Sequence, residues 1–396
     1  MRIAFLTPYL PVPANTGGKI RSYYLLRALA RHHDVDLFTT YYGATPHANG
    51  SVGEICRVVH QVRLEKNGGR TRWSALWDEL PNAIEHFQTP EALREVRDRL
   101  SSTPYDLVVA DEICMAPYVE GVSRPRIVMR QKVDHLHYRL LATKQRWGVR
   151  RVEQLMDARK FRSFEQRYMA SFDGAVSCSQ DDADFIQDLT PGLPVTVIGN
   201  GVDLEYFRPT PMPVSGPPKL LYLGSMNYEP NIDAVDHFFR RIHPHLVSLV
   251  PDVEVQVVGH GPPPAIRAWE RLPGVTVTGA VSDVRPYIEA CTALIVPLRF
   301  GGGTRLKILE AIAAGRPVVS TSIGAEGLGL GHGEHLLLAD EPTAFARETA
   351  RLVHDAALRR RLTEASRPVV AERFAWSALG ASLEELCRVT VRRVTR

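Results

Sequence analysis

Short apolar runs alternate along this chain with longer segments in which apolar residues return at helical spacing. Residues 2–7, RIAFLT, read as a buried strand, and Ile20, Tyr24, Leu25 and Leu29 then mark one face of a helix over 18–31. The alternation continues with strands predicted at 34–40, 55–64, 106–110, 126–129, 174–178 and 195–198. Between them lie polar loops at 41–53 and 67–71 and helical stretches near 73–80 and 90–100. A long basic helix ends near 169, and a further helix covers 180–189. The second half repeats the theme: strands at 220–223, 253–258, 275–277, 294–297 and 317–321 alternate with helical segments at 231–249, 265–271 and 284–290. Three helices follow, from 342, 356 and 376. Strand and helix in strict alternation predict an α/β protein whose parallel sheets are covered on both faces.

Residues 209–218 hold five prolines in ten positions, which makes a stiff, extended connector. The pattern therefore divides into a first domain over 1–208, a connector over 209–218, a second domain over 219–375 and a last helix over 376–396. A chain of 396 residues is also too long for one ordinary core and suits two domains.

Composition narrows the function classes. A hydrophobic fraction of 44% and a charged fraction of 23% belong to a globular protein. The net charge of +4 leaves no electrostatic footprint for nucleic acid. Five cysteines, odd in number and far apart, have no metal-ligand spacing, which fits a reduced, cytoplasmic protein with no metal site. The apolar run at the N-terminus breaks at Pro8, Pro11 and Pro13, too early for a signal peptide. No stretch approaches the ~20 apolar residues of a membrane span, so any membrane contact is expected to be peripheral.

The densest chemistry lies in 293–328, ALIVPLRFGGGTRLKILEAIAAGRPVVSTSIGAEGL. A strand leads into Gly301, Gly302 and Gly303, whose backbone can turn sharply and be approached closely. Thr304 is a suitable N-cap for the helix that follows, and Gly315 with Pro317 stops it. Free N–H groups at a helix start favour phosphate, and Arg305 and Lys307 add two cations where an anion would be needed to balance them. Glu310 can accept hydrogen bonds from both hydroxyls of a ribose. The chemistry indicated is a sugar nucleotide, with the diphosphate on the loop and helix start.

This stretch, together with LYLGSMNYEPNIDAV, VEVQVVGHGPP and FAWSALG, resembles the donor-binding half of family 4 retaining glycosyltransferases with the GT-B fold. LTPYLPVPANTGGKIRSYYLLRAL and VIGNGVDLEYFRP extend the likeness to the first half. The resemblance implies two Rossmann-like domains whose parallel sheets face a central cleft, with the C-terminal helix crossing back to the first. It implies transfer from a nucleoside-diphosphate sugar, UDP most often, to a sugar, lipid-linked or small-molecule acceptor, with retention and no cofactor. Two positions depart from the family. The first glutamate of its E-x7-E pair falls on Gly302, and the Arg and Lys often found after the 220–223 strand are replaced by Ser225, Met226, Asn227 and Tyr228. The phosphate-neutralising role therefore passes to Arg305 and Lys307.

The remaining candidates follow from position. Gly17 and Gly18, after the first strand, let backbone approach a ligand; Lys19 and Arg21 follow. Asn227, His260 and Gly261 sit at strand ends where a nucleotide would lie. His135 is the candidate catalytic histidine, since relatives keep one soon after the 126–129 strand, with Gln131 or Lys132 as other occupants of that place. Asp111 and Glu112 end a strand and suit either an acceptor hydroxyl or a helix cap. Arginines along the helix ending near 169 could face anionic acceptors or lipid, but Glu153, Asp157 and Glu165 favour an exposed ion-pair face. A non-catalytic sugar-nucleotide binder and a sugar-nucleotide epimerase are the rival readings.

Overall fold

The computed structural model describes the whole chain except residues 15, 44–50, 66–78, 145–146, 214, 302–304 and 396. The loop expected at 67–71 and most of the helix expected at 73–80 lie outside the described residues, as do Gly302, Gly303 and Thr304. The chain forms two compact units, one of residues 1–199 with 379–396, the other of residues 200–378.

The first unit is built on strands β1 (Arg2–Thr7), β2 (Asp34–Tyr41), β3 (Val58–Arg63), β4 (Leu107–Asp111), β5 (Arg126–Met129), β6 (Gly174–Ser177) and β7 (Val195–Val197). They pair in the order β3-β2-β1-β4-β5-β6-β7, every pair parallel. Helices α1 (Gly17–Ala30), α2 (Pro90–Ser102), α3 (Asp134–Lys144), α4 (Val149–Met169) and α5 (Gln180–Leu189) accompany the sheet. Thr16, Thr89 and Ser179 cap α1, α2 and α5 through their hydroxyls, satisfying backbone donors that each helix start leaves open. β3 starts later than its pattern suggests because Ser51–Ile55 forms a helical turn that buries Val52.

The second unit carries β8 (Lys219–Leu223), β9 (Glu254–Val258), β10 (Val275–Gly279), β11 (Ala293–Val296), β12 (Val318–Ser320) and β13 (Leu337–Leu338), ordered β10-β9-β8-β11-β12-β13. The helix expected over 231–249 is not continuous: α6 (Glu229–His237) runs into a π-helical segment at Phe238–Ile242 before His243–Leu249. Pro244 has no N–H to give the carbonyl four residues back, and a local widening of the helix absorbs that loss. Further on come α7 (Leu306–Ala313), α8 (Pro342–His354), α9 (Ala356–Phe374) and α10 (Trp376–Val394).

The proline-rich segment, read as a connector, belongs to the second unit. Fully buried Arg316 donates to the carbonyls of Thr210, Pro211, Ile288 and Glu289 at 2.7–3.1 Å. Prolines have no N–H to give to a ladder but keep their carbonyls as acceptors, and the several donors of one guanidinium hold this segment through them. From Leu379 onward α10 packs in the first unit, where Glu384 pairs with His32 at 2.9 Å.

Candidate functional site

In each sheet the strand order reverses once, between β1 and β4 in the first unit and between β8 and β11 in the second. Ligands of open α/β sheets bind beyond the carboxyl ends of the strands at such points. Among the described residues, the sequence-predicted candidates other than His135 lie near one or the other.

At the carboxyl ends of β8, β9 and β11 the chain turns on glycines. Gly301 has φ +125°, and a Cβ there would stand 3.2 Å from the Pro230 ring and 3.4 Å from the Tyr228 hydroxyl. Arg305 is the N-cap of α7, which therefore starts at Leu306, later than a Thr304 cap would place it. The Arg305 guanidinium is buried and donates to the carbonyls of Gly301 at 2.9 Å and Ile323 at 3.4 Å, tying the glycine loop to its neighbour. Lys307 extends back over β8: its Nζ lies 4.4 Å from the centre of the Tyr222 ring and donates to Asn231 Oδ1 at 3.1 Å. Glu310 follows one turn along α7, and its carboxylate accepts no hydrogen bond from a described residue.

Charge is expensive here. Burial, with Arg305 adding to it, pulls the Lys307 pKa down to about 7. Burial pushes the Glu310 carboxyl up to about 7, with Lys307 acting against the rise. A bound anion would favour the charged lysine, so this ammonium is set to respond to one.

Asn227, His260 and Gly261 come together beside this group. Asn227 Nδ2 lies 3.2 Å from His260 Nδ1, and the Met226 N–H donates to the His260 carbonyl at 2.8 Å. Gly261 has φ +71°, and a Cβ on it would stand 2.4 Å from Asn227 Oδ1. Asn231 joins the two halves: its Oδ1 accepts from the Tyr222 hydroxyl at 2.9 Å and from Lys307, while its Nδ2 donates to the Ser225 carbonyl at 2.8 Å.

In the first unit, Gly17 opens to empty space, whereas a Cβ on Gly18 would stand 2.7 Å from Gln131 Oε1 and 3.0 Å from the Tyr9 hydroxyl. Arg21 is buried and donates to the Ile198 and Gly199 carbonyls, each at 2.6 Å. Asp111 is buried at the end of β4 and accepts a short hydrogen bond from Ser22. Glu112 follows with φ +81°, a strained backbone for a residue with a side chain, and makes no side-chain cap bond. Glu112 thus holds the N-cap position of the 3-10 turn Ile113–Met115 through its carbonyl, which accepts from the Met115 N–H at 3.1 Å, and not through its side chain. Burial, then Asp134 and Asp111, push its carboxyl up to about 8.

His135 lies in the first turn of α3, beside the carboxyl end of β5. Its Nδ1 is 2.5 Å from Oε2 of Glu165, which is fully buried and also takes Arg130 at 2.5 Å. Burial alone would raise the Glu165 pKa, but Arg130 and then the His135 bond bring it down to about 2. An ionised carboxylate accepts only, so His135 Nδ1 is the donor in this bond and Nε2 is turned away from Glu165.

Residues 16–206 match Glycosyltransferase Family 4, and residues 217–355 match Glycosyl transferases group 1. The chain belongs to glycosyltransferase family 4. An uncharacterised 44.6 kDa protein in the cps region of Klebsiella pneumoniae is 23% identical over 87% of this chain and 89% of its own. Sucrose-phosphate synthase from Thermosynechococcus elongatus superposes with a TM-score of 0.69 at 18% identity, covering 98% of each chain. Anabaena Alr3699/HepE in complex with UDP and glucose does so at 0.67 and 15%, covering 98% of this chain and 99% of that one. The likeness to these structures places the glycosyltransferase in the GT-B fold.

Asn231 and Tyr222 escaped the motif reading of this glycosyltransferase. A signal existed for Asn231: it shares the apolar stripe of Ala234, Val235 and Phe238, and a polar residue on such a stripe must find buried partners. Glu112 supplies a pH test. Its folded pKa exceeds that of a free carboxyl, so the folded state holds the proton more tightly and stability is lost as pH rises from about 5 towards 8. Glu112→Gln should flatten that decline in a thermal melt series; an unchanged slope would remove Glu112 as its source.

Proposed function

We propose that this glycosyltransferase takes its sugar from a nucleoside-diphosphate donor, UDP-linked in the first instance, and passes it with retention to an acceptor hydroxyl, with no metal ion. The observation that carries this reading is Lys307: a half-buried ammonium in no ion pair with a described residue, at the strand-order reversal of the second sheet. The diphosphate would sit against Lys307, Arg305 and the start of α7, and Glu310 would take the ribose hydroxyls. Departure of the nucleoside diphosphate builds negative charge, and a cation held ready by Tyr222 and Asn231 stabilises that charge without reorganising. The UDP of the Anabaena neighbour supports the choice of nucleotide.

The acceptor belongs to the first unit in this reading. A protonated Glu112 can donate to an acceptor oxygen, and its ionised form can accept from an acceptor hydroxyl; His135 Nε2 is the second polar atom offered on that sheet edge. Retention follows the family, with same-face attack and the departing phosphate receiving the hydroxyl proton. Sugar, lipid-linked and small-molecule acceptors all present the hydroxyl required.

Incubation with a panel of radiolabelled sugar nucleotides, with and without acceptors, tests the proposal. Release of UDP with appearance of an α-linked product from an α-linked donor is expected, and EDTA should leave the rate unchanged. Binding without transfer or hydrolysis across the panel would favour a non-catalytic binder, and a free epimerised sugar would favour an epimerase.

A further inference from the structure

The Lys307 amine is aimed by one buried amide. Asn231 lies in α6, only 8% exposed, and its side chain is gripped at both ends. Oδ1 accepts from Lys307 Nζ at 3.1 Å and from the Tyr222 hydroxyl at 2.9 Å, while Nδ2 donates to the Ser225 carbonyl at 2.8 Å. A carbonyl only accepts, so the Ser225 contact fixes which end of the amide is nitrogen. The oxygen, with both lone pairs taken, is left to the lysine and the tyrosine. Gly224 makes room for this arrangement: a Cβ on it would stand 2.8–2.9 Å from the atoms of the amide.

An amide at this place, where a carboxylate would also fit, matters for the charge. The groups facing the lysine are the Tyr222 ring and hydroxyl from β8, Asn231 from α6, and Arg305 and Glu310 from α7. Asp233, also on α6, is engaged by Arg299. Burial weighs most heavily against the ammonium, Arg305 adds to it, and Glu310 acts the other way. The described hydrogen-bond partners of Nζ, Asn231 and Tyr222, are both neutral.

We propose that Asn231 is a positioning residue of the donor site: it aims the Lys307 amine through a neutral acceptor and leaves the ligand's diphosphate to supply the countercharge. An aspartate at 231 would satisfy the ammonium permanently and then repel a phosphate; the amide does neither. Binding of the anion therefore brings a proton with it. The amine of the empty site, pulled down to about 7, is mostly neutral at pH 8 and becomes an ammonium beside phosphate. Affinity should accordingly weaken as pH rises above about 7, because ligand and proton bind together. The empty site avoids holding a desolvated charge without a partner. This role rests on the donor reading above and adds to it the residue through which the cation is kept available.

Calorimetry of the full chain with UDP, GDP and ADP at pH 8, in buffers of different ionisation enthalpy, tests it. The slope of the measured enthalpy against that of the buffer counts the protons taken up, and the diphosphates are already ionised at this pH. A nearby opposite charge raises a lysine by about one to three pH units, so the nucleotide that binds should carry in roughly 0.4–0.9 proton. Lys307→Met should bind it more weakly and without that proton. Asn231→Asp should also lose the uptake, since its lysine is charged before the ligand arrives, and should bind about tenfold more weakly. Binding by the wild type with no uptake would overturn the role of Asn231 and leave the donor site standing; this measurement decides even where Asn231→Asp fails to fold. Uptake that survives Lys307→Met would put the proton on Glu310 and overturn it too, as would wild-type affinity in Asn231→Asp. Absence of binding by all three nucleotides would remove the donor reading along with it.

Discussion

Lys307→Met should lower kcat/KM for the sugar nucleotide by about 100-fold while leaving the fold intact. The size follows from the role proposed for Lys307, since removing one preorganised group that stabilises charge developing on a leaving group typically costs about two to three powers of ten. The fold should survive because this half-buried lysine is already pulled towards its neutral form, so an apolar chain of similar length loses little in the empty protein. Donor affinity should fall as well, because the diphosphate is bound before the bond breaks. Steady-state kinetics with calorimetric binding of the nucleoside diphosphate would check both, and a variant with wild-type affinity and turnover would remove Lys307 from the site. Arg305→Ala is a less clean experiment. Its guanidinium also ties Gly301 to Ile323, so the substitution releases the loop together with the charge.

The largest effect on stability is expected from Gly259→Ala. A Cβ at this position would lie 1.8 Å from the Gly224 carbonyl oxygen, a backbone atom with little freedom. The Gly224 N–H donates to the Val258 carbonyl at 3.0 Å and the Gly259 N–H to the Gly279 carbonyl at 3.1 Å, so both strand ends are held in place. Relieving the overlap means breaking that ladder, at a cost of about 3 kcal/mol or more. For a unit of this size the melting temperature should drop by roughly 6–12 °C. Gly261→Ala makes a useful contrast. Its Cβ would meet the Asn227 side chain, which can rotate away, so its cost should come mostly from the positive φ, at about 1 kcal/mol. Equal melting temperatures for Gly259→Ala and the wild type would show that the strand ends separate more freely than their hydrogen bonds imply.

The alternation of strand and helix was legible because both signals are local. An apolar run such as Leu294–Val296 or a stripe such as Ile308, Leu309 and Ile312 depends only on which side of an element must be buried. Gly301, Arg305, Lys307 and Glu310 could be named together as candidates for a similar reason, being close in sequence around one strand-to-helix turn. Residues 55–57 and 231–249 were harder: a helical turn burying Val52 and a proline within a helix shift element ends without altering the apolar pattern.

The sequence by itself determined the α/β class and the two sheets, since neighbouring residues carry the alternation behind both. Only the tertiary structure decided what those groups touch. It made Arg21 a buried clamp on Ile198 and Gly199, and turned Glu165 from an exposed acid into the buried partner of Arg130 and His135. It brought Asn231 to Lys307, 76 residues further on. Whether a charged side chain faces water or a partner is set by the packing of distant segments, and spacing along the chain carries no record of that.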